Sequence, residues 1–290
     1  MKGILIYDKA SADYNQNAIS MYLTEAKKIG LDLSLVYYEG LSYGIRGGVL
    51  FTSYEGNTLL NLDFAINRSR DSRLAKHLEL MGIRVFNNSL VNEIGNHKWD
   101  TYQYLSQFEI PMLDTVFILN KNLNSFLSAC KEEVVVKAVH GHGGNQVCLY
   151  NPSKPEEIDS IIKVMAKEDV VIQPFIKGVG QDLRVYVIGG KIIGAVLRTA
   201  SKDFRSNYSL GGSVKFYHLK EEERKEVQKI MDCISLDYAG IDFLVTEDGS
   251  LLFNEIEDVV GARMLYACAD IDAIALYVKH IDKELNHKEE

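Results

Sequence analysis

The sequence predicts an α/β unit followed by two α+β units. Three observations predict it. Over about the first ninety residues, short apolar strands alternate with amphipathic helices, which implies a parallel sheet with helices packed on it. Beyond residue 130 the apolar runs become β-rich and are joined by glycine turns, the mark of hairpins. Finally, 290 residues exceed what one hydrophobic core usually supports.

In chain order, Ile4–Tyr7 is a short strand, and the amphipathic stretch Asn17–Ile29 is a helix closed by Gly30. Leu33–Tyr38 reads as the next strand, with Val49–Thr52 and Phe64–Asn67 as further short ones. A helix over Ser72–Met81 ends at Gly82, and Ile83–Phe86 completes a first unit of residues 1–92. A second unit, 93–178, begins with a helix over Lys98–Phe108, stopped by Pro111. Its strands are Val134–Val139, Gln146–Tyr150 and Val170–Gln173, with a polar helix over Pro155–Lys167 before the last. The third unit, 179–290, opens with the hairpin Leu183–Ile188, Gly189-Gly190, Lys191–Arg198. A helix over Glu221–Ile234 follows. Next come the strands Gly240–Val245 and Leu251–Ile256, turned by Glu247-Asp248-Gly249, and a closing helix over Ile271–Lys283.

Composition narrows the function. Apolar residues make up 47% and charged residues 25%, ordinary for a folded domain, with disorder expected only in the charged tail after Leu285. A net charge of −8 argues against a nucleic-acid surface, which needs a basic stripe. The apolar start before Asp8 is too short for a signal peptide, and no run approaches the roughly 18 residues of a membrane helix. Cys130, Cys148, Cys233 and Cys268 show neither metal-ligand nor disulfide spacing and read as buried thiols. A cytoplasmic protein is expected, with neither nucleic acid nor membrane as partner.

Four stretches carry chemistry. Lys137 precedes His140-Gly141-His142-Gly143-Gly144, a loop between two strands whose amides can approach an anion. It lacks a Walker ending and leads into a strand; a plain hairpin loop is the alternative, and the two histidines lack a third metal ligand. Gln173-Pro174-Phe175-Ile176 is either a hinge whose backbone reads a base edge or a buried strand end. Asp182 and Arg184 share one face of a strand. Asp242 and the pair Glu255/Glu257 stand on two strands of a hairpin. Three converging carboxylates there call for Mg²⁺, whereas an edge hairpin would leave them solvated. The polar stretch Arg198–Asn207, running on to Gly211-Gly212, fits a loop closing over an anionic substrate, or an ordinary solvated loop.

Taken together, these features are specific in their order. A Val-Val-Lys strand with a glycine loop precedes Gln-Pro-Phe-Ile and Asp182-Leu183-Arg184; then come Asp203-Phe204-Arg205-Ser206-Asn207, Gly240-Ile241-Asp242 and Asn254-Glu255-Ile256-Glu257. From about Asn67 to Ile281 this succession resembles the ATP-grasp superfamily, and the Asp-Phe-Arg-Ser-Asn stretch resembles its RimK-like glutamate ligases. The resemblance implies an ATP-grasp fold: a Rossmann-like pre-ATP-grasp domain, then two α+β subdomains clasping ATP. It implies that Lys98 and Lys137 contact ATP, that Gly141, His142, Gly143 and Gly144 cover its β- and γ-phosphates, and that Gln173, Pro174, Phe175 and Ile176 hold adenine. Backbone groups of Phe175 and Ile176 would meet the adenine edge, with Asp182 near the ribose. Asp242, Glu255 and Glu257 would ligate two Mg²⁺ ions, with Mn²⁺ as a substitute. Arg184, Arg198, Arg205 and Asn207 would bind the γ-phosphate, an acyl-phosphate or a substrate carboxylate, and Arg68 is a weaker candidate.

The implied reaction is ATP-dependent amide formation through an acyl-phosphate, on an amino acid or peptide; the oligomeric state is open, a homo-oligomer being ordinary for such a chain. One departure stands out: Glu257-Asp258-Val259-Val260-Gly261 replaces the family's asparagine and Pro-Gly ending. An ATP-grasp kinase and a nucleotide-binding protein without catalysis are the competing readings.

Overall fold

In the computed structural model, residues 1–141, 143–144, 146–176, 180–199 and 213–286 are described. β1 (Lys2–Tyr7), α1 (Lys9–Tyr14), α2 (Gln16–Lys28) and β2 (Asp32–Tyr37) open the chain, and β1 pairs with β2 in parallel. An antiparallel excursion follows: β3 (Leu41–Arg46), β4 (Val49–Tyr54) and β5 (Asn57–Thr58). Its first hairpin turns on Gly47 and Gly48, at φ +59° and +80°, a backbone region where a side chain would be strained. β6 (Phe64–Asn67), α3 (Ser72–Leu80) and β7 (Arg84–Phe86) then complete a parallel sheet in the order β2-β1-β6-β7. Asp71 caps α3 and accepts hydroxyl hydrogen bonds from Tyr38 (2.7 Å) and Tyr43 (3.0 Å), tying the excursion to this sheet.

α4 (Ser89–Gly95) and α5 (Lys98–Leu105) lead to a second sheet. It contains β8 (Val116–Ile118), β9 (Val134–Ala138), β10 (Val147–Tyr150) and β11 (Val170–Pro174), antiparallel in the order β10-β9-β11-β8. α6 (Leu123–Ala129) and α7 (Ile158–Met165) cover one face, burying Leu127, Val136, Ile161 and Ile172 together. The third sheet is also antiparallel: β12 (Gln181–Ile188), β13 (Lys191–Thr199), β14 (Ser213–Phe216), β15 (Tyr238–Val245) and β16 (Leu251–Glu257), ordered β14-β13-β12-β15-β16. α8 (Glu221–Cys233) buries Val227 and Ile230 among Val185, Ile241 and Phe253. After α9 (Arg263–Cys268), α10 (Ala273–Asn286) packs Tyr277 and Val278 with Tyr186, Tyr238 and Tyr22 of α2, joining the third sheet to the first. Asn87 adds a polar seam, donating to the Tyr238 carbonyl (2.8 Å) and accepting from the Asp237 amide (2.8 Å).

The structure departs from expectation at the helix that carries Lys98. The helix at Lys98 was expected to serve the second unit, yet α5 buries Tyr102 and Leu105 in the core of the third sheet. Tyr102 donates its hydroxyl to the Asn254 carbonyl at 2.7 Å. Lys98 is thereby carried on a helix anchored to β16, while its backbone amide bonds to Val139 O at 2.9 Å in the second unit.

Candidate active site

Two clefts meet along one wall. The first has about 860 Å³ of open space between the second and third sheets, lined by Lys98, Lys137, the glycine loop and Gln173–Ile176. The second, about 1470 Å³, runs toward the first sheet and is lined by Arg68, Arg70, Arg184, Glu257 and Arg263. Lys98, Gly143 and Glu255 line both. Lys98 donates to the Gly141 carbonyl at 2.6 Å and lies 3.0 Å from Glu255, so the glycine loop, α5 and β16 converge on one ammonium.

Lys137 projects from β9 into the first cleft and is buried, donating to Asn254 Oδ1 at 2.8 Å. Burial, with Lys98 adding repulsion, pushes its ammonium down to about 8 against the pull of Glu255. Asn254 was not expected from the sequence. β15 and β16 pair Asp242 with Glu255 and Phe243 with Phe253, which leaves Asn254 as the extra residue of a bulge. Strict alternation would turn Asn254 away from Glu255; the bulge lets both line the cleft. An asparagine in an apolar strand was the only signal.

At the far end of that cleft Gln173 is buried and donates to Thr115 Oγ1 at 2.9 Å. Pro174, Phe175 and Ile176 line the wall as expected. The Phe175 amide donates to Glu133 O at 3.0 Å, a bond that a base edge would have to share or displace. Ile176 is then the expected backbone donor.

The acidic set is organised differently from expectation. Asp242 and Glu255 face each other across the strand pair, with Glu257 opposite Gly240. Yet among the described residues no three Asp, Glu, His or Cys side chains are grouped to hold a metal ion. The reason is that cations already interleave them. Arg184 grips Asp242 through two bonds (2.7 and 2.6 Å) and reaches Glu257 at 2.5 Å. Arg198 donates to Asp242 at 2.7 Å from Nη2 and clasps Asp182 through Nε and Nη2. Burial alone would raise Asp242, but the two arginines hold its carboxyl at about 2. Asp182 shifts the other way, because burial there outweighs the pull of Arg198. Its carboxylate is engaged by Arg198, and Asp182 lines the first cleft where the ribose contact was expected.

Glu255 and Glu257 retain about 30% side-chain exposure (31% and 30%), against 1% for Asp242. Lys98 brings Glu255 below its usual range despite burial. These hard, half-open oxygen donors suit Mg²⁺. His142, Arg205 and Asn207 lie outside the described residues. Arg70, Arg263 and Tyr14, which also line the second cleft, were not foreseen; they sit in separate stretches, and no local pattern marks them.

Comparison with known proteins identifies the family. A profile of the RimK-like ATP-grasp domain matches residues 95–281. An uncharacterized Mycoplasma pneumoniae protein is 27% identical over 281 residues, 96% of this chain and 91% of its own. A probable alpha-L-glutamate ligase of Aliivibrio salmonicida is 30% identical over 244 residues, 79% of each chain. Among solved structures, the ATP-grasp ligase PsnB, complexed with a phosphomimetic variant of its minimal precursor, Mg and ADP, superposes with a TM-score of 0.70 at 15% identity. That match covers 98% of both chains. A glycine loop, a paired lysine set and acidic strand ends placed around two joined clefts, together with these matches, establish that the chain belongs to the RimK-like ATP-grasp family.

Proposed function

We propose that the chain is an ATP-dependent carboxylate–amine ligase that forms an amide through an acyl-phosphate. The observation that carries this is the junction: a nucleotide-sized cleft and a larger cationic one share Lys98, Gly143 and Glu255. ATP in the first cleft would present its γ-phosphate to the second. A substrate carboxylate held near Arg184 and Arg198 attacks that phosphorus, breaking the bond to ADP and forming the mixed anhydride. An amine then attacks the acyl carbon, and phosphate leaves with the pair of electrons from the broken C–O bond.

The chain's own residues mainly position and neutralise charge, which suits phosphoryl transfer. Lys137 and Lys98 balance the phosphates, and the glycine loop lies over them. Asp242 holds Arg184 and Arg198 side by side, so two guanidiniums face one reaction zone. Mg²⁺, when bound, supplies a compact positive charge that screens the phosphates. Glu255 and Glu257 would hold it; a second ion would need Asp242 released from its arginines. Residues 1–92, 93–178 and 179–290 serve in this reading as substrate-facing, nucleotide-covering and metal-bearing units. Amino acids or peptides are the expected substrates, in keeping with the glutamate ligase relative.

ADP and phosphate release is the test, measured with Mg-ATP across pools of amino acids and short peptides, with Glu255→Gln as the control. The ligase reading expects release that requires both an acid and an amine, a condensed product by mass, and loss of both in the variant. Stoichiometric ADP with a hydroxyl acceptor and no amide would make the chain a kinase instead.

A further inference from the structure

The second cleft carries more positive charge than its inner end uses. Lys98, Arg184 and Arg198 are each paired with an acid. Arg68, just after β6, is not. It is only 8% exposed, and among the described residues it makes no ion pair. Its Nη2 donates to Val260 O at 2.9 Å and its Nη1 reaches the Tyr22 hydroxyl at 3.4 Å. Among the described residues its buried Nε has no hydrogen-bond partner. The rings of Tyr7 and Tyr22 flank the guanidinium at 5.5 and 5.9 Å. Asp258, within its electrostatic reach, gives one oxygen to Asn92 at 2.7 Å and pairs with neither Arg68 nor Arg70.

A guanidinium so buried is costly to keep charged unless an anion shares its site, and its planar donors suit a carboxylate. Two further cations line the same cleft. Among the described residues Arg70 makes no ion pair, and Arg263 donates to the neutral Tyr14 hydroxyl (2.5 Å) and to Asn15 Oδ1 (3.1 Å). The acids in this cleft, Glu255 and Glu257, stand at its inner end and are already matched by Lys98 and Arg184. Among the described residues the outer end is therefore rich in cations that no acid pairs, Asp258 acting on Arg68 and Arg70 only at a distance.

We propose that Arg68, supported by Arg70 and Arg263, anchors a second, non-reacting carboxylate of the substrate, so that the chain selects dicarboxylates over monocarboxylates of equal length. This rests on the second cleft being the substrate site but needs no turnover. The reacting carboxylate would lie at the Lys98 end and the anchored one at the Arg68 end, which makes carbon-chain length the variable the cleft measures.

Calorimetric titration of the full chain, with Mg-ADP present, tests this with α,ω-dicarboxylates from succinate to adipate against butyrate to hexanoate. At least one dicarboxylate is expected to bind ten times or more tighter than its monocarboxylate match. Arg68→Met should bring that ratio near one with Mg-ADP affinity intact, and Arg68→Lys should restore part of it. No preference in the wild-type chain, or an unchanged ratio in Arg68→Met, overturns the proposal. Should Arg68→Met lose Mg-ADP binding through misfolding, the exposed Arg263→Met decides: a ratio reduced threefold or more supports the anchor, and an unchanged one refutes it. Dicarboxylate binding without ADP release from any acid–amine pair would leave the anchor standing while removing the ligase reading.

Discussion

Lys137 keeps its charge where burial opposes it, and in the proposed function ATP binding draws on that charge. Its ammonium titrates at about 8, so it is protonated below that pH and neutral above. Mg-ATP affinity should be flat on the acid side and fall as pH rises through 8, by up to about tenfold per unit. Lys137→Met should bind weakly with no such slope; a wild-type slope in the variant would dismiss the assignment. Asp242 works in the opposite sense. Its carboxyl titrates at about 2 against an ordinary 3.8, so its contribution is complete above pH 4 and lost as pH falls toward 2, roughly 2 kcal/mol in all. Asp242→Asn strips the charge from between Arg184 and Arg198 and should cost about 3–5 kcal/mol in urea unfolding at pH 7. A loss below about 1 kcal/mol would mean that the arginines find other partners. At this scale the order of the motifs was more informative than any one of them, and the structure brings Lys137 and Gln173 to one cleft. The sequence was blind to Asn254, whose orientation depends on a bulge, and to Arg184 neutralising Glu257, which depends on strands distant in sequence.

At the scale of elements, glycine pairs and periodic helices were the legible features. Gly189-Gly190 marked the β12–β13 hairpin, and the structure gives both residues positive φ, +54° and +70°. The same signal at Gly47-Gly48 was not used, and the strand before it, β3, was missed together with the excursion it begins. Short helices such as α1, α4, α6 and α9 escaped because six or seven residues scarcely show a period. The β12–β13 turn also yields a sharp comparison. A Cβ on Gly189 would lie 2.5 Å from His280 Nδ1, whereas one on Gly190 meets nothing within 4 Å. Gly190→Ala should therefore cost about 1 kcal/mol, from backbone strain alone, and Gly189→Ala clearly more. Equal thermal shifts for the two would contradict the packing of α10 against that turn. α5 supplies the functional counterpart. Tyr102→Phe removes its bond to β16 and should lower stability by about 1 kcal/mol while raising the Mg-ATP KM, because Lys98 rides on that helix. An unchanged KM would show that α5 needs no such anchor to position Lys98.

For the whole molecule, the arrangement of three sheets matters more than any one of them. The parallel sheet contributes Arg68 and Arg70, the second sheet Lys137 and the strand end at Gln173 and Pro174, and the third sheet the acidic residues and their arginines. α5 and α10 cross between these units and hold the clefts in contact. No described helix is long and apolar enough to cross a membrane. The central claim is that a carboxylate in the second cleft attacks ATP held in the first. The most direct measurement supplies the acid substrate with oxygen-18 in its carboxylate and analyses the released phosphate by mass. An acyl-phosphate route transfers one labelled oxygen from acid to phosphate, so singly labelled phosphate is the expected result. Unlabelled phosphate released alongside amide would contradict it, since the carboxylate oxygen could not then have bonded to phosphorus.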